Sequence, residues 1–178
     1  AVLRAMRRWH TREQYRRRVL EIAERIEPLG LGADVIAGFP GEREEDHAAT
    51  RALIEELPFT YLHVFPWSPR EGTHAASLAD RVPRETAAER ALELREIGIA
   101  AGTAHAAARV GQLARVAVES TTSGLTGDYL RVRMRGANRK PGTLEWMRLS
   151  GTAADLKAGP GATGRAALPV LEAAARSL

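Results

Sequence analysis

The chain has 178 residues, 44% of them hydrophobic and none of them cysteine, with a formal net charge of +4. That length holds one domain or two small ones with a real core. The composition excludes disulfides, thiolate metal sites and a thiol nucleophile within the chain, and no apolar run approaches a membrane span.

The charge is unevenly spread. Residues 1–20 carry seven Arg against Glu13, and residues 21–108 carry eight Arg against sixteen acids. Residues 109–150 carry seven Arg and one Lys against Glu119, Asp128 and Glu145. The middle is therefore acidic and the third segment basic. A basic segment with strand pattern is the electrostatic footprint of a nucleic-acid surface, and also that of a plain solvated face. The first residues are basic, but no apolar segment of a secretory signal follows them. The chain opens Ala-Val-Leu inside a helical pattern, so it is expected to be part of a longer protein.

Thr11-Arg12-Glu13-Gln14 has the form of a capping box, and Tyr15, Val19, Ile22, Ala23, Ile26 and Leu29 then recur at helical spacing up to Gly30. Leu31 to Ala37 reads as a buried strand, followed by the turn Gly38-Phe39-Pro40-Gly41-Glu42. A helix is expected from Glu44 to Leu57, with acids at its positive end and Pro58 as its breaker. A second strand runs from Thr60 to Phe65, and the loop Pro66 to Thr73 leaves its carboxyl end. From Arg84 to about Arg109 the pattern is helical and Ala-rich, weakened by Gly98 and Gly102. This is βα-unit material with parallel strands, too few to close a barrel. Its open edges and apolar inner face predict aggregation or dimerisation of residues 1–108 alone.

The pattern changes at Gly111. Leu113 to Glu119, Leu130 to Met134 and Leu144 to Leu149 read as short strands of a small antiparallel barrel or sheet. A linker rich in Gly, Ala and Pro and a short Ala-rich helix are expected to complete residues 158–178. Ligands of α/β proteins sit outside the carboxyl ends of strands, so the Gly38 turn reads either as a ligand loop or as an ordinary βα connection.

Five motifs occur in order. They are Met6-x-Arg8-x-His10-Thr11, Asp34 to Glu42, His63 to Ala76, Val82-Pro83, and Gly124-Leu125-Thr126-Gly127-Asp128-Tyr129-Leu130-Arg131-Val132. Over residues 1 to about 150 the series resembles the C-terminal portion of the radical SAM methylthiotransferases of tRNA, the MiaB/RimO/MtaB group. The His63-Val64-Phe65-Pro66 run before Ser68-Pro69-Arg70 is most similar to the MtaB branch. His10 and Trp67 stand where the family commonly has Tyr.

The resemblance implies an α/β chain: the last units of a radical SAM (β/α) barrel (1–109), a TRAM-like RNA-binding β domain (110–157), and a linker with C-terminal helix. It implies a cytoplasmic transferase that methylthiolates C2 of adenosine 37 in tRNA, N6-threonylcarbamoyladenosine in the MtaB branch. S-adenosylmethionine and [4Fe-4S] clusters are the implied cofactors, and the tRNA anticodon loop is the partner. The cluster cysteines of the family, including CxxxCxxC, fall outside this chain, so the chain alone is expected to be inactive, without a metal site of its own. The alternatives are a stand-alone RNA-binding module and a merely structural fragment.

The implied cofactor-binding residues are Arg8, Asp34, Val35, Ile36, Gly38, Phe65, Pro66 and Trp67. Glu42 is read as bracing the turn through nearby amides. Arg8 meets the methionyl carboxylate or a structural acid. Arg70 meets a phosphate, the threonylcarbamoyl carboxylate, or backbone carbonyls of its own loop. The implied RNA-binding set is Arg70, Arg115, Tyr129, Arg131, Arg133, Arg135, Arg139 and Lys140. Arg131 and Arg133 alternate on a strand and share a face, with Tyr129 expected there as a stacking residue or as core.

Overall fold

The computed structural model describes residues 1–134 and 139–160. Arg135 and the expected C-terminal helix lie outside the described residues.

A short helix α1 (Val2–Ala5) precedes α2 (Arg12–Ala23). The capping box at α2 is formed: Thr11 Oγ1 accepts from the Gln14 amide at 3.2 Å, and the Gln14 side chain accepts from the Thr11 amide at 2.9 Å. α2 stops well short of Gly30, so Ile26 falls outside the helix and is exposed. Strand β1 (Gly32–Ala37), helix α3 (Glu44–Glu56) and strand β2 (Tyr61–Pro66) form a βαβ unit whose two strands pair in parallel. The Arg43 amide donates to the Asp46 carboxylate at 3.1 Å, fixing the start of α3. A 3₁₀ turn, η1 (His74–Ser77), leads to the 26-residue helix α4 (Arg84–Arg109).

Side chains of a strand alternate between faces. Ala33, Val35, Ala37, Leu62 and Val64 face the helices and join Val19, Ile54, Leu57, Phe59, Ala91 and Leu94 in one core. The Arg95 guanidinium on α4 donates to the Val64 carbonyl at 2.8 and 3.2 Å, tying the long helix to β2. The opposite face of the sheet carries Asp34, Ile36, Tyr61, His63 and Phe65, all exposed.

The second unit is a closed five-stranded barrel in the order β3-β4-β5-β7-β6. Its strands are β3 (Leu113–Val118), β4 (Ser123–Thr126), β5 (Arg131–Met134), β6 (Leu144–Thr152) and β7 (Asp155–Pro160). The barrel core is Ala114, Val116, Val118, Val132, Met147, Leu149 and Leu156. Two of these strands were not anticipated. β4 is made of Ser-Gly-Leu-Thr, which reads as turn. β7 runs through Pro160, where a linker was expected after residue 157; it closes the barrel antiparallel to β6 and parallel to β5.

Candidate functional site

The open face of β1 and β2 is fixed by register. Asp34 lies opposite His63 and Ile36 opposite Phe65, with Tyr61 at the start of β2 beside Gly32. Ile36 is 39% and Phe65 53% exposed, so an apolar pair stands at the carboxyl ends of two adjacent strands. Asp34 is exposed, and no ion pair involves it among the described residues. Val35 does not belong to this face: it packs into the helix-covered core, because its parity on the strand is opposite to that of Ile36. Of the two strand residues taken as apolar walls, the structure therefore leaves only Ile36 available.

Gly38 begins the turn at φ +74 and is buried against Ala87 of α4. Its amide donates to both Glu42 carboxylate oxygens, at 3.0 and 3.1 Å. The bracing role of Glu42 is thus observed, and the Gly38 N–H is already occupied. The same carboxylate accepts from Arg90 Nη1 at 2.9 Å, while Arg90 Nη2 reaches Glu44 at 3.0 Å. Arg90 and Glu42 are both nearly buried. The sequence reading overlooked Arg90, since nothing local marks one Arg of an Arg-rich helix as facing inward.

Beyond β2, Pro66 is exposed and Trp67 half-buried. The Trp67 ring meets Phe39 edge-on at 6.2 Å, and Arg81 lies over it at 5.9 Å. Its amide donates to the Ala37 carbonyl at 2.7 Å, so the two strand ends are stitched together. Arg70 is exposed; its carbonyl accepts from Thr73, and its guanidinium has no hydrogen bond or ion pair among the described residues. The bonding of Arg70 to its own loop is thus through its backbone, leaving the cation free. Arg8 is likewise exposed, without a side-chain partner among the described residues.

The junction between the two units centres on Asp128, which is 2% exposed. Its Oδ2 accepts from Arg109 Nε at 2.8 Å and lies 2.9 Å from His105 Nε2, both on α4. Burial pushes the Asp128 carboxyl up, but the Thr126 hydroxyl and the Arg109 charge outweigh it and hold the group below the usual carboxylate range. Tyr129 adopts φ 63 in the turn before β5. It is not core: it is 62% exposed, with its ring 6.1 Å from that of Tyr61. The left-handed backbone at Tyr129 breaks the strand parity assumed for it.

On the barrel surface, three of the five expected phosphate-binding cations among the described residues already have carboxylate partners. Arg131 pairs with Glu119 at 2.8 Å, Arg133 with Asp155 at 3.5 Å, and Arg139 with Glu145. Arg115 and Lys140 are exposed, with no ion pair among the described residues. No group of three or more His, Asp or Glu among the described residues could hold a metal ion. No described helix is long and apolar enough to cross a membrane.

No family model matches the chain. Curated relatives do. A tRNA-2-methylthio-N(6)-dimethylallyladenosine synthase of Methylococcus capsulatus is 43% identical over 122 residues, 68% of this chain and 26% of the relative. One of the same name from Protochlamydia amoebophila is 32% identical over 157 residues, 84% of this chain and 35% of the relative. The threonylcarbamoyladenosine tRNA methylthiotransferase MtaB of Treponema pallidum is 42% identical over 96 residues, 54% of this chain and 20% of the relative. The chain thus spans between a fifth and about a third of the length of these relatives. Over that span, the chain is a member of the tRNA methylthiotransferase family.

Proposed function

We propose that this chain is the part of a tRNA methylthiotransferase that walls the S-adenosylmethionine pocket and holds the tRNA, with the substrate base N6-threonylcarbamoyladenosine. The observation that carries the reading is the open face of β1 and β2. In a chain homologous to methylthiotransferases, an exposed apolar pair, Ile36 and Phe65, stands at the carboxyl ends of two parallel strands beside a braced glycine turn. Ligands of parallel α/β units sit at that end.

S-adenosylmethionine, when bound, would supply the radical and the methyl group of the reaction. Ile36 and Phe65 fit an adenine ring as apolar walls, and the rim of Pro66 and Trp67 excludes water beside them. Asp34 and Arg8 are polar, exposed candidates for its ribose and methionyl ends. The iron–sulfur clusters do not fit this chain, which has no cysteine to ligate them. Arg70, a guanidinium without a partner among the described residues in the loop after β2, suits the planar carboxylate of a threonylcarbamoyl group. The TRAM-like barrel supplies the RNA contacts.

The test takes the intact protein with its clusters, S-adenosylmethionine, and tRNA carrying either threonylcarbamoyl- or dimethylallyl-adenosine. Mass analysis of digested nucleosides should find a methylthio group on the threonylcarbamoyl base. Product only on the dimethylallyl base would reassign the substrate. No product on either, with the clusters intact, would end the reading. Phe65→Asp should weaken S-adenosylmethionine binding, measured by calorimetry, without altering tRNA affinity.

A further inference from the structure

The barrel has a second exposed face that the strand charges do not advertise. In the antiparallel ladder of β3 and β6, Leu113 lies opposite Arg148, Arg115 opposite Trp146, and Ala117 opposite Leu144. The alternate residues Ala114, Val116, Met147 and Leu149 are buried, so this set points outward together. Trp146 is 56% exposed, and Leu113 and Leu144 are also open to solvent. A large indole left in water at the middle of a sheet face is not explained by the barrel core.

Its surroundings are cationic. Among the described residues, Arg115 has no ion pair, and the Arg148 guanidinium bonds only the Gly111 carbonyl, at 2.5 Å. The outward positions 113, 115, 117, 144, 146, 148 and 150 hold no acid. On β5, by contrast, Arg131 and Arg133 each face a carboxylate. A phosphate reaching β5 must displace that carboxylate; one reaching Arg115 meets no paired carboxylate among the described residues.

We propose that the β3–β6 face is a single-stranded RNA site, in which an unpaired base stacks on Trp146 while Arg115 and Arg148 hold the flanking phosphates. The proposal rests on the assignment of the barrel to RNA and changes which face carries it. Stacking needs a flat π surface open to solvent, and flanking guanidinium groups suit a strand whose bases are splayed from its backbone.

The experiment measures affinity of the 178-residue chain for a short single-stranded oligoribonucleotide and for the same oligomer with abasic sugars, as a function of salt. Removing the stacked ring with Trp146→Ala should weaken binding to the intact oligomer by about five- to a hundredfold, while the abasic one is unaffected. Trp146→Phe should retain most of the affinity, which separates stacking from a folding defect. Arg115→Gln with Arg148→Gln should make the salt dependence shallower by about 1.4 in log–log slope. If Trp146→Ala binds as the parent does, while Arg131→Gln with Arg133→Gln abolishes binding, the face is misassigned although the barrel binds RNA. If no variant, nor the parent, binds RNA at low salt, both the face and the RNA role of the barrel fall.

Discussion

The Glu42 carboxylate and the Arg90 guanidinium form a nearly buried pair 2.9 Å apart, and Glu42 holds the Gly38 amide with the same oxygen. One side chain from α4 thereby sets the shape of the turn after β1. Breaking a buried pair leaves the remaining charge uncompensated. Arg90→Met should therefore cost about 3–5 kcal/mol, read from urea unfolding. Glu42→Ala should, in addition, speed hydrogen exchange at the Gly38 amide, which loses its acceptor. Unchanged exchange there would show that the turn is shaped by something other than this clamp.

Helix α4 approaches β2 closely at Gly102. A Cβ built at that position would come within 2.8 Å of the Thr60 carbonyl oxygen, a backbone atom that cannot swing aside. In an exposed helix Gly→Ala gains about 1 kcal/mol. Here Gly102→Ala should destabilise by about 1–3 kcal/mol through overpacking, seen as a lower urea midpoint. A higher midpoint would show that the helix can slide outward freely.

Acid should act on the junction through Asp128. Its carboxyl is held below the usual range in the folded chain, so its contribution is fully present above the ordinary carboxylate pKa. That contribution is lost as pH falls through the lowered folded value. Asp128→Asn should flatten the acid limb of stability against pH. It should also lower stability at neutral pH, because Arg109, only 7% exposed, is left without its counter-charge. Thermal unfolding from pH 7 downward, compared between the two proteins, checks both effects.

The surface pair on β5 should behave differently. Arg131 is 71% and Glu119 38% exposed, and solvent screens such pairs. Arg131→Ala should change stability by less than ~1 kcal/mol in a urea titration. Any larger loss would mean that this ion pair is part of the barrel seam.

Local chemistry made several elements legible in advance. The Thr11 capping box, the acidic start of α3 and the apolar runs of β1 and β2 each announce themselves within a few residues. β7 does not, because Asp-Leu-Lys-Ala-Gly-Pro is a strand only by virtue of pairing with β6 and β5. The same holds for Arg90 and Asp128, whose partners lie 48 and 19 residues away. Trp146 could have been found: the alternation argument used for Arg131 and Arg133 also places 144, 146 and 148 together. An apolar residue in a strand nevertheless reads first as core. Strand parity packs Val35 against the helix-covered core, whereas Tyr129 escapes simple parity, exposed in a left-handed turn.

The turn at Asp128 touches more than α4. Its backbone lies so near Gly30 that a Cβ there would fall 2.6 Å from the Asp128 carbonyl oxygen, and Tyr129 leans on Tyr61. Helix end, pre-strand loop and strand start all converge on one barrel turn. An RNA seated on the barrel would be gauged rather than merely tethered. On the proposed RNA and cofactor sites, the span from the β3–β6 face to the mouth of β1 and β2 would act as a fixed ruler, with length choosing the nucleotide before any base is read.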